Sequence, residues 1–394
     1  MTKRAEYKKI VSKISIPANH KIKQKAYLQS GTLPVIDQGQ ELVGGYTNDC
    51  QKQIVCDLPV IVFGDHTKNV KYINFPFCAG ADGIKILKAK DDVFPKYLYY
   101  GTIFLTYCIE DKGYARHYQH IEKYDLLVPP LPEQERIVAK IEELFSQLDA
   151  AVAELKSVKE KLSIYRQAVL KEAFEGKLTE KWRILHHKNN EWCVFNIKNI
   201  VQKGQNSLKA GPFGSALKKS CYVPSGYKVY GQEQVIAGNE NIGDYYISEE
   251  KYQELISCKI QPYDILISLV GTVGKVLILS AECEPGVINP RLIKVSLDRK
   301  KMLPEFFKYY FTSNYLKSLY KQKVHGATMD VLNMGMIKEL PFQWCPIDEQ
   351  RQVMSEIEAR ISICNNIEQT VDTALQRAAA LRQSILKQAF EGNL

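Results

Sequence analysis

Residues 131–178 read LPEQERIVAKIEELFSQLDAAVAELKSVKEKLSIYRQAVLKEAFEGKL, and residues 347–394 read IDEQRQVMSEIEARISICNNIEQTVDTALQRAAALRQSILKQAFEGNL. The second stretch rewrites the first 216 positions later, without a gap: Glu133-Gln134 falls on Glu349-Gln350, Arg166-Gln167 on Arg382-Gln383, and Ala173-Phe174-Glu175-Gly176 on Ala389-Phe390-Glu391-Gly392. Solenoid repeats have far shorter periods, so this one signals duplication of a whole domain together with its helix. In the first copy Ile137, Ile141, Leu144, Leu148, Ala151, Leu155, Val158, Leu162, Tyr165 and Val169 alternate four and three apart. That spacing keeps one apolar stripe facing a partner helix. Gly176 stands where a C-terminal cap belongs, and no proline falls between Pro132 and that glycine. The pattern predicts a helix of about 43 residues, roughly 65 Å long. The second copy carries Val353, Ile357, Cys364, Ile367, Val371, Ala374, Ala378, Leu381 and Ile385, with Arg360 where Leu144 stands. Two separate surface helices would explain either copy alone; two matched seams in one chain favour pairing with each other.

The helices divide the 394-residue chain into segments 1–130, 131–178, 179–346 and 347–394. With 45% hydrophobic residues, it has material for two or more domain cores. Net charge is +9, distributed as +5, −1, +7 and −2 over the four segments in order. The globular segments are basic and the helical ones are not, which suits a polyanionic partner. Ten cysteines occur without a Cys-x-x-Cys pair. Most have apolar neighbours, as in Ile54-Val55-Cys56, Phe77-Cys78 and Tyr107-Cys108, and the expectation is reduced, packed thiols in a cytoplasmic protein. No signal peptide is evident, and no apolar run approaches the roughly 18 residues that span a bilayer.

Segment 1–130 opens with a lysine-rich stretch, Lys3 to Lys25, followed by strand-like runs: LPVIDQGQ (33–40), LVGGYTN (42–48), LPVIVFGDHT (58–67), VKYINF (70–75) and ADGIKIL (81–87). Gly, Asp and Asn between β-branched runs predict a β-rich domain with functional loops. VFPKYLYYGTIFLTYCIE (93–110) reads as a helix after Pro95, and the loop DKGYARHYQH (111–120) leads on to the first long helix. Segment 179–346 repeats the plan with other side chains. KNIVQKG (198–204) echoes YKKIVSK (7–13), and GYKVYGQEQV (226–235) stands where LPVIDQGQ stood. PYDILISLVGTVGKV (262–276) answers DLPVIVFGDHTKNV (57–70) as a buried strand running into a glycine loop. PEFFKYYFTSNYLKSLY (304–320) answers PKYLYYGTIF, and HGATMDVLNMGMIKELP (325–341) answers KGYARHYQHIEKYDLLVP, with Gly326 over Gly113.

Catalytic motifs fail one by one. GTVGKV (271–276) lacks a P-loop's first glycine, position 269 being Leu, and Val276 replaces the Ser/Thr that would hold Mg²⁺. NPRL (289–292) lacks the second proline and the aromatic residue of an amino-methyltransferase NPP[YF] loop, and there is no GxGxxG. Asp65-His66 has the chemistry for half of a hydrolase or metal site, but no second ligand has metal-site spacing. What remains is polar loops at matching places in both halves. In the first these are DQGQ, GDHTKNVK and KGYARHYQH; in the second, GPFGSALKKS (211–220), YGQEQ (230–234), GTVGK and NPR. Arg and Lys grip phosphates or guanine edges, Gln and Asn pair with adenine, and glycine admits close backbone approach. The candidate contacts are Gln38, Lys68, Lys71, Tyr114, Arg116 and His117 in the first half. In the second they are Ser215, Lys218, Lys219, Gln232, Thr272, Lys275 and Arg291.

With these residues assembled, the chain resembles, over essentially its full length, the specificity subunit of a type I restriction-modification system. The most specific marks are the helix start PPLPEQERI, the helix end QAVLKEAFEGKL with its twin QSILKQAFEGNL, and HGATMDVLN…IKELP before the second helix. VIDQGQ…GGYTN…PVIVFGDHT…KYINFPF…ADGIKIL resembles one style of target recognition domain, and DILISLVGTVGKV…INPRL another. The resemblance implies an α+β chain. Two β-rich target recognition domains are joined by two long antiparallel coiled-coil helices about a pseudo-twofold axis. It implies a non-catalytic subunit that reads a bipartite, asymmetric DNA site, one half per domain, with the helices setting the spacer. The implied partners are double-stranded DNA, two modification subunits using S-adenosylmethionine, and restriction subunits using ATP and Mg²⁺; no cofactor is implied for this chain. The second helix start, QWCPIDEQ, departs from the PPLPEQ form. A coiled-coil scaffold unrelated to DNA would explain the helices but not two basic, loop-rich domains.

Overall fold

Short β-branched runs become short strands, and the computed structural model describes residues 3–81, 83–110, 116–213, 215–269, 274–316 and 334–394. The chain forms two units, residues 1–157 with 371–394, and residues 158–370. The first unit runs β1 (Lys3–Glu6), α1 (Tyr7–Ile10), β2 (Val11–Ile14), β3 (Leu33–Ile36), β4 (Gly45–Thr47), β5 (Val60–Gly64), β6 (Val70–Ile73), β7 (Cys78–Ala79), β8 (Ile84–Ala89), α2 (Pro95–Cys108), α3 (Tyr118–Ile121) and β9 (Asp125–Val128), then enters the long helix α4 (Leu131–Phe174). One sheet has the order β2-β8-β5-β6 and a second β4-β3-β7; β1 pairs with β9. All these pairings are antiparallel except β3 with β7.

Strand β5, VIVFG, is apolar throughout because both its faces are covered. Ile61 and Phe63 join the core under α2 with Tyr97 and Leu98, while Val60 and Val62 join the core with Ile36 and Phe77. Side chains alternate between faces, so an unbroken apolar run marks a strand packed on both sides. Helix α2 starts with Pro95 in its first turn, where proline loses no hydrogen bond. Its Gly101 lies so close to β9 that a Cβ there would meet Leu126 at 2.6 Å.

The second unit runs α5 (Glu180–Leu185), β10 (Cys193–Asn196), α6 (Ile197–Ile200), β11 (Leu208–Ala210), β12 (Tyr222–Val223), β13 (Tyr227–Tyr230), α7 (Gln232–Ala237), β14 (Tyr246–Ile247), α8 (Glu249–Glu254), β15 (Ile265–Ser268), β16 (Val276–Ile278), β17 (Gly286–Ile288), β18 (Leu292–Val295), α9 (Pro304–Thr312), α10 (Met334–Glu339), β19 (Pro341–Trp344) and the second long helix, α11 (Ile347–Glu391). Its sheets repeat the plan: β11-β18-β15-β16 is antiparallel, and β12-β14-β13-β17 contains one parallel pair, β13 with β17. Again the central strand alternates, Ile265 and Ile267 in one core and Leu266 in the other. The run GYKVYGQEQV is a strand only to Tyr230. Gln234 Oε1 accepts the Gly231 amide at 2.8 Å and starts α7 instead. The HGATMDVLN stretch, with Gly326, and Gly113 lie outside the described residues.

In both units the two long helices run antiparallel. In the first, Arg136 Nη2 donates to the Leu394 carbonyl at 2.8 Å, and Arg382 pairs with Asp149 and covers the Phe145 ring at 4.2 Å. In the second, Arg166 Nη2 donates to Glu368 at 2.7 Å and to Asn365 at 2.8 Å. Burial along the seam is uneven. Ile137, Ile141, Leu162, Val169, Val353, Ile357, Cys364, Val371 and Ile385 are buried, whereas Val158, Tyr165, Ile367 and Leu381 are exposed. Near the helix ends the unit cores also bury Val138, Phe145, Leu170 and Phe174, which lie off the stripe. Elsewhere the stripe has only a neighbouring helix to cover it.

The duplicated motifs are the bolts between helix and unit. Gln134 accepts the Phe94 amide at 2.8 Å and donates to Pro129 O at 2.7 Å and Asp92 O at 3.0 Å. Gln350 makes the same clamp with the Leu303 amide at 2.9 Å and with Cys345 O and Lys301 O, both at 2.7 Å. At the other end, Phe390 packs on Tyr97 and Phe104 in the first unit, and Phe174 on Phe306 and Tyr310 in the second. Replacing either glutamine by Ala strands an amide and two carbonyls. Unfolding should show a loss of about 2–4 kcal/mol at each site, since a buried unmet polar group costs about 1–3 kcal/mol; a loss below about 0.5 kcal/mol would contradict the clamp.

Candidate nucleic-acid interface

The parallel strand pair decides where the loops gather. In the first unit Gly80, after β7, donates its amide to Ile36 O at the end of β3, at 2.8 Å; in the second Asn289, after β17, donates to Tyr230 O at the end of β13, at 2.9 Å. The polar loops sit beside these two equivalent points.

In the first unit Gln38 follows β3. Its carbonyl accepts from Thr67 Oγ1 at 2.6 Å and Asn69 Nδ2 at 2.9 Å, tying it to the turn between β5 and β6. A Cβ at Gly64 would lie 2.4 Å from Thr67 Oγ1 and 2.9 Å from Gln38 Cβ, so only glycine lets these loops touch. Asp65, buried, locks the next layer. Its amide donates to Gly83 O at 2.6 Å, its carbonyl accepts the His117 amide at 2.9 Å, and Oδ1 accepts the Tyr118 amide at 2.8 Å. The carboxylate is thus committed to holding loops, and among the described residues no cluster of three His, Cys, Asp or Glu is placed to hold a metal.

Gln38, Lys68, Arg116 and His117 are therefore brought together around Asp65. Lys68 occupies the left-handed region at φ 59°, which closes the turn, and Arg116 is exposed. Two predicted contacts are not surface groups. Lys71 is 5% exposed, with Nζ 3.5 Å from Asp37 Oδ1, and burial lowers its pKa. His117 is 1% exposed and its Nδ1 lies 3.0 Å from Asp65 O. Both side chains are buried, so neither faces outward with the exposed groups. Tyr27 shares this layer: burial, helped by neighbouring Asp37, pushes its hydroxyl up to about 12. Tyr114 lies outside the described residues.

In the second unit the same points again carry a glutamine and a lysine, held by other partners. Gln232 Nε2 donates to Ser268 Oγ at 2.8 Å. The Ser268 amide donates to Lys275 O, and that of Leu269 to Arg291 O, both at 3.0 Å. The Arg291 amide in turn donates to Asn289 Oδ1 at 2.9 Å. Gln232, Lys275 and Arg291 converge, with both cations exposed. Ser215, Lys218 and Lys219 are also exposed, on the 211–220 loop, while Thr272 lies outside the described residues. Ser268 and Asn289 were not among the predicted site residues. Asn289 was within reach, as it belongs to the quoted NPR loop; Ser268 ends an apolar strand and carries no sequence signal.

Comparison with known proteins follows the same two-unit pattern. Residues 8–160 and 189–377 match the family model described as the type I restriction modification DNA specificity domain. The EcoKI specificity subunit of Escherichia coli (strain K12) is 29% identical over 282 residues, covering 69% of this chain and 58% of the relative. The EcoBI specificity subunit of Escherichia coli is 27% identical over 278 residues, 68% of this chain and 58% of the relative. The match thus spans under two thirds of these curated relatives. A solved chain from a study of assembly and conformational transition of the type I R-M system has the same fold, with TM-score 0.70 and 15% identity over 100% of this chain and 98% of that one. The HsdS subunit from Thermoanaerobacter tengcongensis gives TM-score 0.54, again at 15% identity, over 100% and 97%.

Proposed function

The chain belongs to the type I restriction-modification DNA specificity family, and we propose that it reads a bipartite, asymmetric DNA site, each unit's loops reading one half. In this proposal the long helices set the spacer and dock two modification subunits. Catalysis resides in those subunits, which use S-adenosylmethionine, and in restriction subunits, which use ATP and Mg²⁺; this chain carries no cofactor. One observation supports the reading above the others: two units of one topology each gather an amide and two cations at the loop end, on loops of different sequence and with the arginine on a different loop in each. Gln38, Lys68 and Arg116 gather in one, and Gln232, Lys275 and Arg291 in the other. A duplicated scaffold with diverged loops suits two different half-sites. A scaffold unrelated to DNA needs no such divergence.

The readers are expected to be separable. Replacing Arg116 or Lys68 should weaken or relax one half-site only, and replacing Lys275 or Arg291 only the other. A base-edge contact is worth about 1–3 kcal/mol and loosens one position, whereas a phosphate contact weakens all sequences alike. Methylation sequencing of cells carrying the complete system reads this out. One substitution that altered the bases of both half-sites would overturn the proposal.

A further inference from the structure

Phe213 stands out among the described aromatic residues because 90% of it is exposed. The loop that carries it is anchored on both sides. The Gly211 amide donates to Leu292 O at 2.9 Å, and a Cβ at Gly211 would sit 1.8 Å from Asn289 O. The chain therefore lies flat against the turn that presents Arg291. On the far side the Ala216 amide donates to Phe213 O at 2.8 Å, and Leu217 is buried in a core cluster. Between these anchors the ring is exposed; Lys218 and Lys219, farther along the chain after Leu217, and Arg291, in the turn against which Gly211 lies, are exposed as well.

An apolar ring among cations matches a polyanion whose charged edge encloses apolar faces, which describes stacked bases between phosphates. We propose that Phe213 is a wedge that enters the base stack of the half-site read by the second unit, with Lys218 and Lys219 on the flanking phosphates. The proposal rests on the reading of the chain as a DNA-recognition subunit. Inserted apolar side chains unstack one base step and bend the duplex, most readily at flexible pyrimidine–purine steps. Specificity would then include a step that no hydrogen bond reads.

The test uses the full chain assembled with its modification subunits. The probes are duplexes bearing the mapped site, with 2-aminopurine placed singly along the half-site that responds to Arg291. Wild-type assembly should raise the fluorescence at one step apart from the methylated base, which the modification subunits themselves take out of the stack. Phe213→Ala should abolish that rise and weaken binding roughly 5- to 150-fold, the range for losing an aromatic–base stack. Phe213→Leu should keep part of both effects. Because the residue is exposed, an unchanged melting curve for Phe213→Ala would confirm that folding is intact. A specific wild-type complex without the fluorescence rise, or a rise that survives Phe213→Ala, overturns the wedge and leaves DNA reading standing. Absence of any salt-dependent DNA binding by the wild-type assembly sinks the DNA reading and the wedge with it.

Discussion

DNA affinity of the assembled subunit is expected to fall about 10³- to 10⁵-fold between 50 and 200 mM salt, the loss for six to ten neutralised phosphates. Segments 1–130 and 179–346 carry +5 and +7, whereas the helical segments carry −1 and −2. A counterion-release slope should therefore follow cations in the globular segments and be insensitive to charge changes on the helices. Replacing one phosphate-binding lysine should lower the slope by about one. Filter binding or fluorescence anisotropy over a salt series measures both quantities. Affinity independent of salt would rule out duplex DNA as the partner of these loops.

The second large effect concerns Glu349. It is 2% exposed, and its Oε1 receives Thr179 Oγ1 and Trp192 Nε1, each at 2.6 Å, together with the buried Arg183 guanidinium. Arg183 also donates from Nη2 to Gly176 O at 2.8 Å, so this group ties the end of α4 to the start of α11 within the second unit. Glu349→Ala leaves a buried guanidinium without its counter-charge, and unfolding should show a loss of about 3–5 kcal/mol. Glu133, its twin in the first repeat, forms an exposed pair with Arg136 at 2.7 Å, which solvent screens, so its loss should barely register. The contrast between the twins is the measurement. Equal losses for Glu133→Ala and Glu349→Ala in denaturant titrations would refute the buried role. Removing Arg183 and Glu349 together should cost less than the sum of the single losses.

Glu133 and Glu349 also show where sequence reading stops. Their identical place in the repeat was visible at once. Their different burial was not, because Arg183 and Trp192 reach Glu349 from 166 and 157 positions away. Similarly, the repeat marked Gln134 and Gln350 as equivalent, and only the folded chain shows both spending every amide hydrogen bond on the same type of helix-to-unit clamp.

Periodicity belongs to the chain itself. The four-and-three spacing of α4, the apolar runs of β5 and β15, and the proline-led starts of α2 and α9 needed no distant partner to be read. With the 216-residue offset, they determined two long helices and two domains of one plan. The loops were decided elsewhere. Gln38 meets the 64–69 turn across 28 to 31 positions, and His117 meets Asp65 across 52. Such contacts set which polar groups face outward. They turned His117 inward while leaving Arg116, Arg291 and Phe213 open, whereas Lys71 is buried by the alternation of β6. A loop has no repeating dihedral pattern of its own, so its side chains point where long-range hydrogen bonds and close glycine contacts hold the backbone.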